Sequence, residues 1–138
     1  MIRSERISKA SNVKKWRSVE ENTIEILRGF DEIANVLDVA AQNVGYDIEV
    51  ITKDGTHKYF EVKSVDNIGA PFSMTNNEFS AAVQYKEKYY LAIVNQSDNY
   101  IEICFISDPI NSLNMTKRVT KWEWYCNSYD GNYTKYIV

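Results

Sequence analysis

The rhythm of polar and apolar residues changes several times along this chain of 138 residues, and each change predicts an element. Over residues 16–28 the period is helical, with Ile24 and Leu27 on one stripe and Glu20 and Asp31 beside it. Ser18 suits the N-cap, Glu20 and Glu21 suit the positive end of the helix dipole, and Gly29 suits the stop. Residues 35–40 read as a short strand or as continued helix, and 41–45 as a loop. Residues 46–52 and 57–64 alternate as the arms of a hairpin. Thr75-Asn76-Asn77-Glu78 has the form of a capping box. It predicts a second helix through about Lys88, with Phe79, Ala82, Val83 and Lys86 on one side. Residues 89–94 are continuously apolar, as a strand buried on both faces should be. Residues 100–106 alternate as another strand, and Asp108-Pro109 starts a turn. Residues 118–125 are aromatic and extended, and a last short strand follows a turn at Asp130-Gly131.

A helix lying between two strands implies a crossover. The fold class expected is therefore α/β (α+β), with a mixed central sheet flanked by helices. Residues 17–138 have the size of a single domain. Residues 1–16 lack periodicity and read as a basic N-terminal arm with little order of its own.

Hairpin register decides which side chains share a face. A two-residue loop at Asp54-Gly55 sets Asp47 opposite Val62, on the other face from Glu61. A three-residue loop, Lys53-Asp54-Gly55 with Gly55 left-handed, sets Asp47 opposite Glu61 instead. Then Asp47, Glu61 and Lys63 share one face, and Ile48, Val50, Phe60 and Val62 the other. Chemistry at the carboxylates requires the second register.

Charge adds an asymmetry. The net charge is −3, yet residues 1–17 hold Arg3, Arg6, Lys9, Lys14, Lys15 and Arg17 against Glu5 alone, so +5 precedes a body of −8. Such an arm fits phosphate contacts or simple solvation. Lys117, Arg118 and Lys121 among Trp122, Trp124 and Tyr125 form a second basic and aromatic stretch, suited to nucleic acid, to a core or to a dimer face. Cys104 and Cys126 are too few and too far apart for a zinc knuckle and read as free thiols. No apolar run approaches the ~20 residues that span a membrane, and no signal-peptide core opens the chain, so an intracellular, cytoplasmic location is expected. His57, the only histidine, reads as a surface residue beside the turn.

An Asp followed across a turn by Glu-x-Lys can hold a hard cation. Mg²⁺ (or Mn²⁺) prefers carboxylate and water oxygens, so Asp47 and Glu61 are the candidate ligands, with the Val62 carbonyl as a third. Lys63, beside two carboxylates, suits a cationic role toward water or phosphate rather than that of a base. Taken alone, Glu-Val-Lys is also what any half-exposed strand carries.

The blocks Gly45-Tyr46-Asp47-Ile48, Phe60-Glu61-Val62-Lys63-Ser64, residues 72–78 and Tyr89-Tyr90-Leu91 resemble, in order and spacing, the NO VEIN C-terminal domain family (DUF3883). The resemblance covers residues 17–110 and implies the restriction-endonuclease-like core of the PD-(D/E)XK nuclease-like superfamily. Tyr46 stands where the superfamily's name has a proline. The resemblance further implies a first-helix glutamate in the site: Glu21 by its offset from Ile24, with Glu25 second, against the alternative of a solvated first-turn acid. The expectation is a Mg²⁺-dependent DNA endonuclease domain of a restriction or phage-defence system. A helicase, ATPase or restriction subunit is the expected partner, a homodimer would suit double-strand cleavage, and no membrane is involved. The alternative is a non-catalytic module that binds DNA or protein.

Overall fold

The computed structural model describes residues 5–8 by their backbone, and residues 13–118 and 123–138 in full. In chain order the elements are β1 (Glu5–Ser8), α1 (Val19–Arg28), β2 (Ile33–Asp38), β3 (Ile48–Thr52), β4 (His57–Ser64), β5 (Phe72–Thr75), α2 (Asn76–Tyr85), β6 (Tyr89–Gln96), β7 (Tyr100–Ser107), α3 (Pro109–Ser112), β8 (Met115–Arg118), β9 (Glu123–Cys126) and β10 (Tyr133–Ile137). Among the described residues the strands form two sheets, one of seven in the order β1-β10-β7-β6-β4-β3-β2 and one of three in the order β5-β9-β8. The large sheet is mixed: β4 runs parallel to β6, β1 parallel to β10, and the other pairs are antiparallel. The architecture is thus α+β, as the alternation of elements implied.

The centre of the sheet is β6, where Leu91, Ala92, Ile93 and Val94 are fully buried on both faces. On one face, α1 lays Ile24 and Leu27 onto Val36, Ile48, Val50 and Phe60, and Ile26 onto Ala92, Val94 and Ile101. Against the other, α2 presses Ala81 and Ala82 onto Tyr89, Leu91 and Ile93. Burial of this apolar surface is the main force holding helices to sheet. Cys104 and Cys126 are both buried and free.

Ser18 caps α1 by accepting the Glu21 N–H at 3.1 Å, and Gly29 follows its last turn. The hairpin has the three-residue loop: Thr52 N–H donates to Thr56 C=O at 2.9 Å, and Gly55 has φ 88°. Asp54 Oδ1 accepts from the Thr56 N–H at 3.0 Å and from the Thr52 hydroxyl, which fixes the turn.

Several expectations shift. The segment expected at 35–40 as strand or helix is a strand at Ile33–Asp38, and Ala40–Gln42 is a 3-10 turn where the strand's end and a loop were expected. α2 ends at Tyr85, because Lys86 takes φ 53° and a 3-10 turn carries the chain to Lys88. Its buried residues are Ala81 and Ala82, so of the expected side of Phe79, Ala82, Val83 and Lys86 only Ala82 is in the core. Val83 is 49% exposed, and Phe79 leaves the sheet to stack on Trp124 at 3.5 Å. Phe72–Thr75 is a strand that two alternations beside Pro71 did not reveal. The N-terminal arm also contributes a strand, since Glu5–Ser8 pairs with β10. Its ladder partner lies more than a hundred residues away, beyond the reach of local pattern.

Candidate active site

Asp47 lies one residue before β3, and its position depends on the segment that precedes it. Gly45 has φ 91°, and a Cβ there would lie 2.8 Å from Ala81 Cβ and 2.8 Å from Asn77 O, so only glycine lets this loop pack on α2. The buried Tyr89 hydroxyl donates to Gly45 C=O at 2.7 Å, and Asn77 Nδ2 donates to Asn43 C=O at 3.1 Å. The loop is therefore held by β6 and α2 together.

The hairpin ladder runs to Ile48 opposite Phe60. Asp47 then turns its N–H toward Phe60 C=O and its own C=O toward the Val39 N–H, both at 2.9 Å. Its carboxylate takes over where the ladder stops: Oδ2 accepts the Val62 N–H at 2.9 Å. A strand residue points its N–H and C=O the same way, so the Val62 carbonyl also faces this edge.

Glu61, 5% exposed, and Lys63 project from the α2 face of β4. Lys63 Nζ lies 3.4 Å from Glu61 Oε2 and 2.6 Å from Glu78 Oε1. Glu78 comes from the first turn of α2, where the capping box forms: Thr75 Oγ1 accepts the Glu78 N–H at 3.2 Å, and Glu78 Oε1 accepts the Thr75 N–H at 3.0 Å. One oxygen of Glu78 thus serves the helix cap and the lysine together. The carboxyl groups open into a cavity of about 110 Å³ whose lining includes Gly45, Tyr46, Asp47, Glu61, Asn77 and Glu78.

Crowded carboxylates in a buried place hold protons tightly. Burial pushes the Glu61 carboxyl up to about 9, with the charges of Glu78 and Asp47 adding to it and Lys63 opposing. Burial also raises Asp47, against the Val62 N–H and a hydrogen bond with Glu61. Tyr46, tilted against Tyr59 and edge-on to Tyr85, is pushed up to about 12, chiefly by burial.

The structure therefore brings Asp47, Glu61, Lys63 and the Val62 peptide to one place. Glu21 is exposed in the first turn of α1, and Glu25 is engaged by Arg28 at 2.7 Å and Arg17 at 3.9 Å. The first-helix acid within electrostatic reach of Asp47 is Glu20, whose carboxyl is raised by burial and by the charges of Asp47 and Asp38. Glu20 and Glu21 are both exposed and differ by about 100° around the helix axis at 3.6 residues per turn. The sequence favours the capping role for Glu78 and leaves a second role open where the helix start faces the cleft. The Thr-x-x-Glu signal was visible, but the approach of Lys63 was not.

Lys14, Lys15 and Arg17 sit in the turn before α1. Lys117 and Arg118 sit on β8, near the rings of Trp124 (5.9 Å) and Tyr125 (4.8 Å). Their small sheet reaches the cavity rim through Thr75, the last residue of β5. Lys121 and Trp122, like Arg3 and Lys9 of the arm, lie outside the described residues. His57 is half-exposed and pairs with Glu49 at 2.7 Å, away from the carboxylates in its contacts.

Among the described residues no group of three or more His, Cys, Asp or Glu side chains is arranged to hold a metal ion. None of their helices is long and apolar enough to cross a membrane.

Fold and site together define a mixed α+β domain that gathers carboxylates and a lysine where a hairpin meets a helix start. Residues 14–106 match the family described as Protein NO VEIN, C-terminal, well over half of the chain, and the chain belongs to that family. The matched span holds Asp47, Glu61, Lys63 and Glu78 and ends before β8. No curated protein and no solved structure matches the chain.

Proposed function

We propose that this chain is a Mg²⁺- or Mn²⁺-dependent endonuclease domain that hydrolyses DNA phosphodiester bonds, with the restriction-endonuclease-like core that its family resemblance implies. The observation carrying this reading is the Asp47 carboxylate bound to the Val62 N–H at 2.9 Å, which sets it beside Glu61 on the face that carries Lys63.

The residues present suit the ion. Mg²⁺ is commonly held by one or two carboxylates and keeps several waters, so a third acidic ligand is not required. Asp47 and Glu61, with the Val62 carbonyl, offer such hard oxygen donors. Burial, and after it the charges of Glu78 and Asp47, raise the Glu61 carboxyl, and a dication held there would oppose that rise. When bound, such a cation supplies Lewis acidity to the phosphate and a more acidic water. Asp47 and Glu61 would hold it, Glu61 as the deprotonated carboxylate. Lys63 donates hydrogen bonds to the attacking water or to a phosphate oxygen, held in line by Glu78. Glu20, on α1, lies within electrostatic reach of Asp47 and would add a carboxylate beside such an ion.

Binding of DNA falls to the basic positions Lys14, Lys15, Arg17, Lys117, Arg118 and Lys121. The setting we infer is an intracellular restriction or defence system, with a helicase, ATPase or restriction subunit alongside and a homodimer for double-strand cuts. The second reading is a binding module without catalysis, and one contact favours it. Lys63 already neutralises Glu61 and Glu78, so the site balances much of its charge without a metal.

Incubation with plasmid DNA and Mg²⁺ tests the proposal. Cleavage by the native chain, lost by 100-fold or more (about the 10²–10³ of one electrostatic stabiliser) in Asp47→Ala and Lys63→Ala, is expected. Cleavage that survives both changes rejects the assignment. No cleavage together with no Mn²⁺ binding by calorimetry establishes the non-catalytic module.

A further inference from the structure

Trp16 is the most exposed large hydrophobic residue among the described ones, at 74%. It stands in a turn over residues 14–17, closed by the Arg17 N–H on Lys14 C=O at 3.2 Å. That turn is pinned from inside. Asn22, fully buried, accepts the Lys14 N–H at 3.0 Å and donates to Lys14 C=O at 2.7 Å and Gln96 Oε1 at 3.1 Å. Gln96 Nε2 in turn donates to Arg17 C=O at 2.7 Å. Two amide side chains thus fix both ends of a turn whose middle holds an indole out in water. An indole held out in water on a support this rigid is available to a ligand that covers its face.

The surroundings say which kind. Lys14 and Lys15 are exposed on either side of the approach, and the Arg17 guanidinium lies 5.3 Å from the indole centroid while also reaching Glu25 at 3.9 Å. These cations offer an anion a local site on a chain whose residues 18–138 sum to −8. Gln96 ends β6, which runs parallel to β4 with Val94 paired to Ser64. Glu61 pairs with Leu91, five residues before Gln96, and projects from the opposite face of the sheet, so the turn is set apart from the carboxylates. Glu20, four residues beyond Trp16, feels the charge of Asp47.

The geometry points to residues 14–17 as a docking element for an unpaired nucleic-acid strand, with Trp16 stacked on a base and Lys14, Lys15 and Arg17 on the neighbouring phosphates. A lone protruding indole needs an open base face, which a duplex hides and a single strand offers. The choice of ligand rests on the nuclease reading; the element itself does not.

The test is fluorescence anisotropy with a labelled oligothymidylate in chelator, where no cation-dependent cleavage proceeds. Trp16→Ala should weaken binding about 5- to 100-fold, the range of one stacked base. It should leave the thermal midpoint and the salt dependence unchanged, and Trp16→Phe should restore most of the affinity. Lys14→Gln with Lys15→Gln should flatten the salt dependence instead. Unchanged affinity in Trp16→Ala overturns the proposal and assigns the indole to a protein contact. Equal dependence on Trp16 for a duplex of the same charge overturns it as well. Trp16-dependent binding by a chain that cuts no DNA in Mg²⁺ keeps the docking element and removes the nuclease reading.

Discussion

Glu61 ordinarily would titrate near 4.5, and in the folded chain it is raised to about 9, first by burial and then by Glu78. Between those values the folded state holds a proton that the unfolded state has lost. Stability without divalent cations therefore falls as pH rises through that interval, because the unfolded state binds fewer protons there. Thermal unfolding in chelator between about pH 5 and about pH 9 should show a declining midpoint. Glu61→Gln has no proton to lose and should flatten that decline; parallel slopes for the two chains would reject Glu61 as its source. Not every residue at this site was readable in the same way. Asp47 and Lys63 followed from hairpin register, whereas Glu20 and Glu21 are neighbours in sequence that face different ways in space. Only the packed position of α1 against β3 selects between them.

The first turn of α2 joins two tasks in one side chain. Glu78 completes the capping box with Thr75 and holds Lys63 at 2.6 Å. A glutamine keeps an acceptor for the Thr75 N–H but loses the charge that faces the ammonium. Glu78→Gln should therefore stay close to the native thermal midpoint while cleavage falls by about 10- to 100-fold, the cost of a misplaced reacting group. Glu78→Ala should lose cleavage and also about 1 kcal/mol of stability, as for a missing cap. Calorimetric unfolding with a cleavage assay separates the two, and full activity in Glu78→Gln would leave Glu78 as a cap only. The cap was legible from Thr75 and Glu78 alone. The buried side of α2 was not, because Phe79 and Val83 look like core until Trp124 draws one away and solvent takes the other.

At the scale of the molecule, the N-terminal segment covers an edge of the large sheet. β10 pairs with β7 on one side and takes β1 in parallel on the other, Glu5 opposite Tyr133 through Ser8 opposite Tyr136. Removing residues 1–8 uncovers that row of backbone groups. Hydrogen exchange should then accelerate in Tyr133–Ile137 while β6 keeps its protection. Unaltered exchange in β10 would mean that β1 adds nothing to its stability.

What the sequence determined by itself was local: the caps at Ser18 and Thr75, the stop at Gly29 and the apolar run of β6, with the hairpin narrowed to two loops of which the structure has the odd one. These depend on backbone propensity and on periods of a few residues, which a single strand of text carries. The tertiary structure alone decided that Asp47's carboxylate replaces a backbone acceptor at Val62, that Glu20 faces it, that Glu78 closes on Lys63, and that Asn22 and Gln96 support the turn at Trp16. Each of these is a contact between elements, and its free energy comes from packing and desolvation that arise only when distant segments share one interior.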